Sequence, residues 1–244
     1  MIEIRPLTER EDLKTVVRLQ RQIWGFEDVD LIPLRLFVVA TKIGGQVFGA
    51  FDGREMVGFC MAIPGLKAGG KTYLHSHMLG VVPDYRNSGV GRMLKLTQRD
   101  DALRRGIQLI EWTFDPLEIK NAFFNMERLG AIVRRYVPNQ YGTTSSPLHG
   151  GLPTDRCIAE WWIASQRVKA IIAGQPFDRA KVEMRVAIPA DIAEIRANDR
   201  ARAGEIQKTA SEQFRGAFDR GLAVIGFEKS KEAGTYLFGV WESE

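Results

Sequence analysis

Residues 81–94 read VVPDYRNSGVGRML. An apolar run precedes this stretch and a helical pattern follows it. Within it, Arg86-Asn87-Ser88-Gly89-Val90-Gly91 forms a glycine-rich turn that opens a helix. Amide N–H groups at a helix start have no carbonyl one turn back, and the helix end adds positive potential, so such a turn holds phosphate. Gly89 and Gly91 let an anion approach the backbone, while Arg86 and Arg92 offer charge-assisted bonds. A third spaced glycine and a parallel βαβ context are missing, so this is not a dinucleotide fingerprint. No Gly-Lys-Ser/Thr occurs, which excludes a Walker A loop.

Outward from the turn, the order of elements follows from hydrophobic period. Residues 2–6 predict a strand and 11–24 an amphipathic helix ending at Gly25; a second helix runs over 33–43 from Pro33. Gln46–Phe51 and Met56–Ile63 predict a hairpin about Asp52-Gly53, and Thr72–Val82 a further strand. Beyond the turn come a helix over 90–105, a strand over 107–114, a helix over 117–129 and a strand over 131–137. Residues 138–156 are rich in Pro, Gly, Ser and Thr, which suggests a lid or binding loop. A strand over 157–163 and a helix over 165–172 follow. The last part predicts strand 182–186, helix 190–217, and strands 222–228 and 235–240. The expected class is α/β (α+β), a mixed and mostly antiparallel sheet flanked by helices. One domain is expected over 1–164, with a C-terminal β-α-β-β extension over 165–244 packed on or continuing the first sheet.

Composition narrows the function classes. The chain has 244 residues, 45% apolar and 26% charged, enough to build a core and too apolar for wholesale disorder. Cys60 and Cys157 cannot make a disulfide scaffold and lack metal-ligand spacing, so a reducing, cytoplasmic setting and no metal are expected. The charged start, MIEIRPLTEREDL, does not read as a signal peptide, and no apolar run approaches a membrane span. A net charge of +4 suits a phosphate-bearing ligand and is too weak and too evenly spread to argue for nucleic acid.

Residues 2–137 resemble the GCN5-related N-acetyltransferase (GNAT) superfamily. Its Gln/Arg-x-x-Gly-x-Gly/Ala signature is matched by Arg86-Asn87-Ser88-Gly89-Val90-Gly91, after the fourth strand and at a helix start. A second motif is matched by Ala122 and by Met126-Glu127-Arg128-Leu129-Gly130-Ala131. The resemblance implies an N-acyltransferase that uses acetyl- or succinyl-coenzyme A, with pyrophosphate on the amides of Asn87, Ser88, Gly89, Val90, Gly91 and Arg92. It also implies that pantetheine lies along Leu79, Gly80 and Val81, in a splay between the fourth and fifth strands. Two positions depart from the family pattern. The tyrosine that often protonates the leaving thiolate falls at Met126, and the usual asparagine falls at Ile119, with Asn121 and Asn125 as polar substitutes. The segments LHSHMLGV, LGA and LPTDR further resemble a bacterial subgroup found beside N-succinylamino acid racemases. That narrower likeness implies a small amine acceptor, such as an amino acid. A homodimer is implied only by its frequency in the superfamily.

Amide formation from a thioester needs a neutral amine and a place for its proton. Strand alternation puts His75 and His77 on one face and Ser76 on the other, so either histidine is a candidate base. Glu111 on the next strand is another, acting through water or by pairing with a histidine. Tyr136 and Tyr141 are candidates to replace the missing proton donor. Arg156 offers a fork for a substrate carboxylate, in competition with Arg35 on the second helix, while Trp112 offers apolar area to the acceptor pocket. Two other classes stay open: an acetyltransferase for protein amines, and an acyl-coenzyme A-binding module with weak or no catalysis.

Overall fold

The computed structural model describes residues 1–142 and 151–241, which fall into two compact units, Met1–Glu111 and Trp112–Glu244. In the first unit β1 (Ile2–Pro6), α1 (Arg10–Trp24), α2 (Leu34–Lys42), β2 (Gln46–Asp52), β3 (Glu55–Leu66) and β4 (Thr72–Val81) precede α3 (Val90–Arg104). β5 (Leu109–Phe114) begins at its end. α1 forms because Leu13, Val16, Leu19 and Ile23 make one buried stripe; the Gly25 N–H makes the last helical bond, to the Arg21 carbonyl, and its positive φ turns the chain out of the helix. β1 to β4 are neighbours in sequence order and antiparallel. Adjacent residues of β3 identify the two faces. Phe59 sets its ring against Trp24 and Phe37, while the Cys60 thiol points to the Leu94 carbonyl. Thus α1 and α2 cover one face and α3 the other.

β4 carries the irregularity that matters for the site. Against β3, Met61 pairs with Met78 and Ala62 with Ser76, so His77 is skipped and β4 bulges there. A bulge inverts the alternation that follows it. Ser76 faces Lys95 of α3, whereas a Cβ at Gly80, four residues on, would strike Trp24 and Ile23 of α1. β4 and β5 are parallel, and their register covers only Leu74↔Ile110 and His75↔Glu111.

The second unit contains α4 (Ile119–Phe123), β6 (Ile132–Val137), β7 (Arg156–Trp162), α5 (Gln166–Ile172), β8 (Met184–Pro189), α6 (Ile192–Asn198), α7 (Arg200–Asp219), β9 (Leu222–Lys229) and β10 (Ala233–Val240). Its strands run in the order β7-β6-β9-β10-β8. Phe214 of α7 centres the core, with the Tyr136, Tyr236 and Phe238 rings 5.5, 4.8 and 5.1 Å away. The helix expected over 117–129 is shorter than its pattern suggests. α4 passes into a π-helical turn at Phe124–Arg128, closed by Leu129 N–H on the Phe124 carbonyl, which buries both Asn125 and Met126. The helix expected over 190–217 breaks at Asp199, whose carboxylate accepts from the Arg202 amide and so caps α7.

Of the expected lid, residues 143–150 lie outside the described residues. Its described ends are tied together: the Tyr141 amide donates to Thr154 Oγ1 at 2.9 Å and the Asn139 amide to Asp155 Oδ1 at 2.9 Å. Among the described residues no helix is long and apolar enough to cross a membrane.

Candidate functional site

α3 starts at Val90 with Gly89 as its cap residue, and no side chain caps the first turn. Gly89 has φ of 93° and Asn87 φ of 62°, so the turn enters the left-handed region twice within three residues. Glycine accepts that conformation freely, and asparagine tolerates it better than most residues. The amides that open α3 therefore lack carbonyl partners within the helix. Around them the turn is fastened by its own side chains. Ser88 Oγ donates to the Tyr85 carbonyl at 2.6 Å, and Tyr85 in turn donates to Asp52 at 2.8 Å. Arg86 Nη2 donates to the Ile23 carbonyl at 3.0 Å and its Nε to the Val81 carbonyl at 3.3 Å. The guanidinium expected to meet phosphate thus ties α1 and β4 to the turn. A Cβ at Gly91 would lie 3.9 Å from the methyls of Leu79 and Val81, an ordinary contact, so the protein itself does not demand glycine there.

Leu79, Gly80 and Val81 lie on β4 beyond the two residue pairs that join it to β5, so that stretch of strand has edge amides and carbonyls to offer a ligand. The uncapped turn, the left-handed glycine and this strand edge together fit the coenzyme that the resemblance implies: amides for pyrophosphate and a strand edge for the pantetheine amides.

The structure brings His75 and His77 together, with ring centroids 6.0 Å apart and a tilt of 41°. Burial, with smaller contributions from His77 and Lys95, brings His75 from its ordinary range to about 4. Burial also lowers His77, although its edge is exposed. His75 is therefore neutral at pH 7, and His77 is shifted in the same direction. Glu111 stands opposite His75 in the strand register, and its carboxylate is paired with Lys67 Nζ at 2.5 Å. The Lys67 ammonium also sits 4.9 Å from the centre of the Tyr73 ring. The sequence does not single out Lys67 and Tyr73, since a glycine-rich hairpin lysine looks like any solvated one.

On the α3 face of β4, Lys95 Nζ donates to Ser76 Oγ at 3.0 Å and Gln98 Oε1 at 3.1 Å, and Ser76 Oγ donates to Gln98 Oε1 at 3.0 Å. All three side chains are buried, and burial pulls Lys95 down to about 7. A sequence signal existed: the step of four from Val90 through Leu94 to Gln98 and Ala102 places Gln98 on the buried row.

Arg35 lies exposed on α2. The other expected residues lie in the second unit. Trp112 is buried, meets Trp161 edge-on at 5.9 Å and donates to Asn125 Oδ1 at 3.3 Å. Asn125 is 4% exposed, and its Nδ2 has no hydrogen-bond partner among the described residues. Asn121 is exposed on α4. Tyr136 donates to Asp155 Oδ2 at 2.6 Å, and burial with this carboxylate pushes its hydroxyl well above the ordinary phenol range. Tyr141 is exposed, its hydroxyl 3.0 Å from Thr113 Oγ1. Arg156 donates to the Asp155 carbonyl at 2.9 Å, with its guanidinium 5.5 Å from the Tyr141 ring centre. Met126 is fully buried. No group of three or more His, Cys, Asp or Glu among the described residues is arranged to hold a metal.

Residues 13–130 match the acetyltransferase (GNAT) family, a span just under half of the chain. The ribosomal-protein-S18-alanine N-acetyltransferase of Escherichia coli is similar in structure, with TM-score 0.53 and 21% identity, covering 68% of this chain and 96% of that one. YncA of Salmonella typhimurium, described as a putative acetyltransferase and solved with acetyl-CoA, gives TM-score 0.55 and 16% identity over 68% and 96% of the two chains. Naa50 of Arabidopsis thaliana, solved with the bisubstrate analogue CoA-Ac-MVNAL, gives 0.51 and 15% over 65% and 97%. No curated protein matches the chain. The fold is the α/β GNAT fold, with a mixed, mostly antiparallel sheet flanked by helices and further strands toward the C-terminus.

Proposed function

We propose that this protein is an acyl-coenzyme A-dependent N-acyltransferase, moving an acetyl group to the amine of a peptide or protein. The observation that carries the proposal is the uncapped, left-handed turn at Gly89 beside the open edge of β4, a cradle for a pyrophosphate and an extended amide chain. Acyl-coenzyme A would supply an activated thioester. The chain's own part is to hold the coenzyme on Asn87–Arg92 and Leu79–Val81, and to take the proton that the amine sheds as the C–N bond forms and the thioester C–S bond breaks to release the coenzyme thiolate. Of the two imidazoles the more exposed His77 suits that role better, since a midpoint of about 4 leaves His75 a weak base. Two of the similar structures support a peptide amine: one acetylates a ribosomal-protein alanine and another was solved with a bisubstrate peptide analogue.

The experiment is a thiol-release assay with acetyl- and succinyl-coenzyme A against peptide N-termini and free amino acids. Release with acetyl-coenzyme A and peptides is the expected result. Release only with succinyl-coenzyme A and amino acids would replace this acceptor by the small amine of the narrower resemblance. Coenzyme binding with no release from any acceptor would make the protein a binding module.

A further inference from the structure

The polar groups behind β4 lie outside the proposed coenzyme cradle, and burying them costs free energy. Lys95, Gln98 and Ser76 close a triangle of hydrogen bonds on the face of β4 opposite the histidine pair. Ser76 lies between His75 and His77, and directly before the residue that β3 skips. A bulge leaves its extra residue out of the ladder, so its geometry depends on what anchors its neighbours.

We propose that Lys95 is a positioning residue: with Gln98 it clamps Ser76 from behind β4, fixing the bulge at His77 and setting an ammonium behind the histidine pair. This deepens the acyltransferase reading and rests on it for its catalytic meaning. Two consequences follow from charge. The ammonium opposes imidazolium formation through the sheet, and its effect on His75 has that sign. It is also present where it matters. Lys95 loses its proton near 7, so over the acidic range in which His75 titrates the lysine is charged.

Groups from three strands face this cluster and the histidine pair. From β3 comes Cys60, whose thiol is pushed up to about 12 by burial and stays neutral. From β2 comes Gln46, which donates to the Gln98 carbonyl and to Asp101 of α3. On the histidine face stand Glu111 of β5 and its partner Lys67. None of these replaces the Lys95 charge behind Ser76.

The test is proton NMR titration of the histidines in the full chain, which has only three. Lys95→Gln keeps a side chain able to bond Ser76 and removes the charge. It should raise the His75 midpoint by roughly half a pH unit, and Lys95→Met, the fallback if the glutamine variant folds poorly, should do the same. Ser76→Ala keeps the charge and loosens the clamp, so it should change the His77 resonance position while moving the His75 midpoint less. In turnover, Lys95→Gln should shift the acid limb of the pH–rate profile upward and leave coenzyme affinity unchanged. An unmoved His75 midpoint in both lysine variants would overturn the inference. Because the midpoints need no turnover, a moved midpoint in a protein that transfers no acyl group would refute the function and leave the electrostatic role standing.

Discussion

The two units differ in where they leave backbone donors open. In the first, the turn at Gly89 and the strand edge at Leu79–Val81 expose backbone donors that the protein arranges and does not consume. In the second, polar side chains are spent internally. Arg167 is 1% exposed and donates to the Gly130 and Ile225 carbonyls, Arg196 bridges Asp115 and Glu118 at 3.0 Å each, and Tyr136 is given to Asp155. A buried polar group with all its partners holds a fold together; an arranged donor with none of its own is available to a ligand. The difference ranks the candidates, and four experiments can break that ranking.

Gly89→Asp should have the largest effect. It places a carboxylate where phosphate is expected and in a backbone region that suits glycine, so coenzyme affinity should fall by about 10²-fold or more, near 3 kcal/mol. Gly89→Asn controls for conformation, since asparagine tolerates the same φ without charge, as Asn87 already does. Calorimetry should show much weaker binding for Asp than for Asn. Equal affinities of both with the parent protein would remove the turn from the coenzyme site.

Next come the histidines. One of His75→Gln and His77→Gln should lower kcat by about 10²-fold with little change in coenzyme affinity. An ordinary imidazole would put the acid limb of the rate profile near 6.5; burial moves the His75 limb down toward about 4. Stability follows the same pair of values. Between about 4 and 6.5 the unfolded chain binds a proton at His75 that the folded chain refuses, so stability is lost as pH falls through that window. His75→Gln should flatten this part of a melting-temperature profile. Near-normal turnover in both variants from pH 6 to 9 would make the pair structural.

Much of the first unit was legible because local chemistry dictates it. Gly25 ends α1, Asp52-Gly53 turns the hairpin, and Arg86–Gly91 opens α3 where the pattern predicts. Strand alternation correctly paired His75 with His77, yet it could not foresee the bulge, because a skipped residue depends on the register against β3. The π turn at Phe124–Arg128 escaped for a related reason: a helical period of 3.6 contains no signal for one inserted residue. Arg86 shows a third limit. Its charge was readable, but its use depends on two carbonyls from separate elements, Ile23 and Val81, which only the folded chain brings near.

Tyr136 and Tyr141 sharpen the comparison within the second unit. Tyr136→Phe leaves a buried Asp155 oxygen short of a donor and should cost about 1–3 kcal/mol in denaturant unfolding. Tyr141→Phe removes only an exposed contact with Thr113 and should cost less than about 1 kcal/mol. Neither should alter kcat if the leaving thiolate needs no dedicated acid. A drop of about 10²-fold in either would identify the proton donor that Met126 cannot be.

Arg86→Ala should weaken coenzyme binding far less than Gly89→Asp, and its interpretation turns on a second variant. The guanidinium donates to two backbone carbonyls at 3.0 and 3.3 Å, so its loss loosens the turn while the amides remain. Each such bond contributes about 1 kcal/mol to holding the turn, and if about half of that total is felt by the coenzyme, affinity falls about fivefold. Were the residue instead a phosphate contact, Arg86→Lys would restore most of the affinity, because a point charge still attracts an anion. As a fork between two carbonyls it cannot be replaced that way, since lysine lacks the planar pair of donors. Salt separates the two roles as well. A clamp should show the same salt dependence of binding in Arg86→Ala as in the parent, whereas a lost phosphate contact would flatten it. Rescue by lysine together with a flattened salt response would move Arg86 from the frame of the turn to the ligand itself.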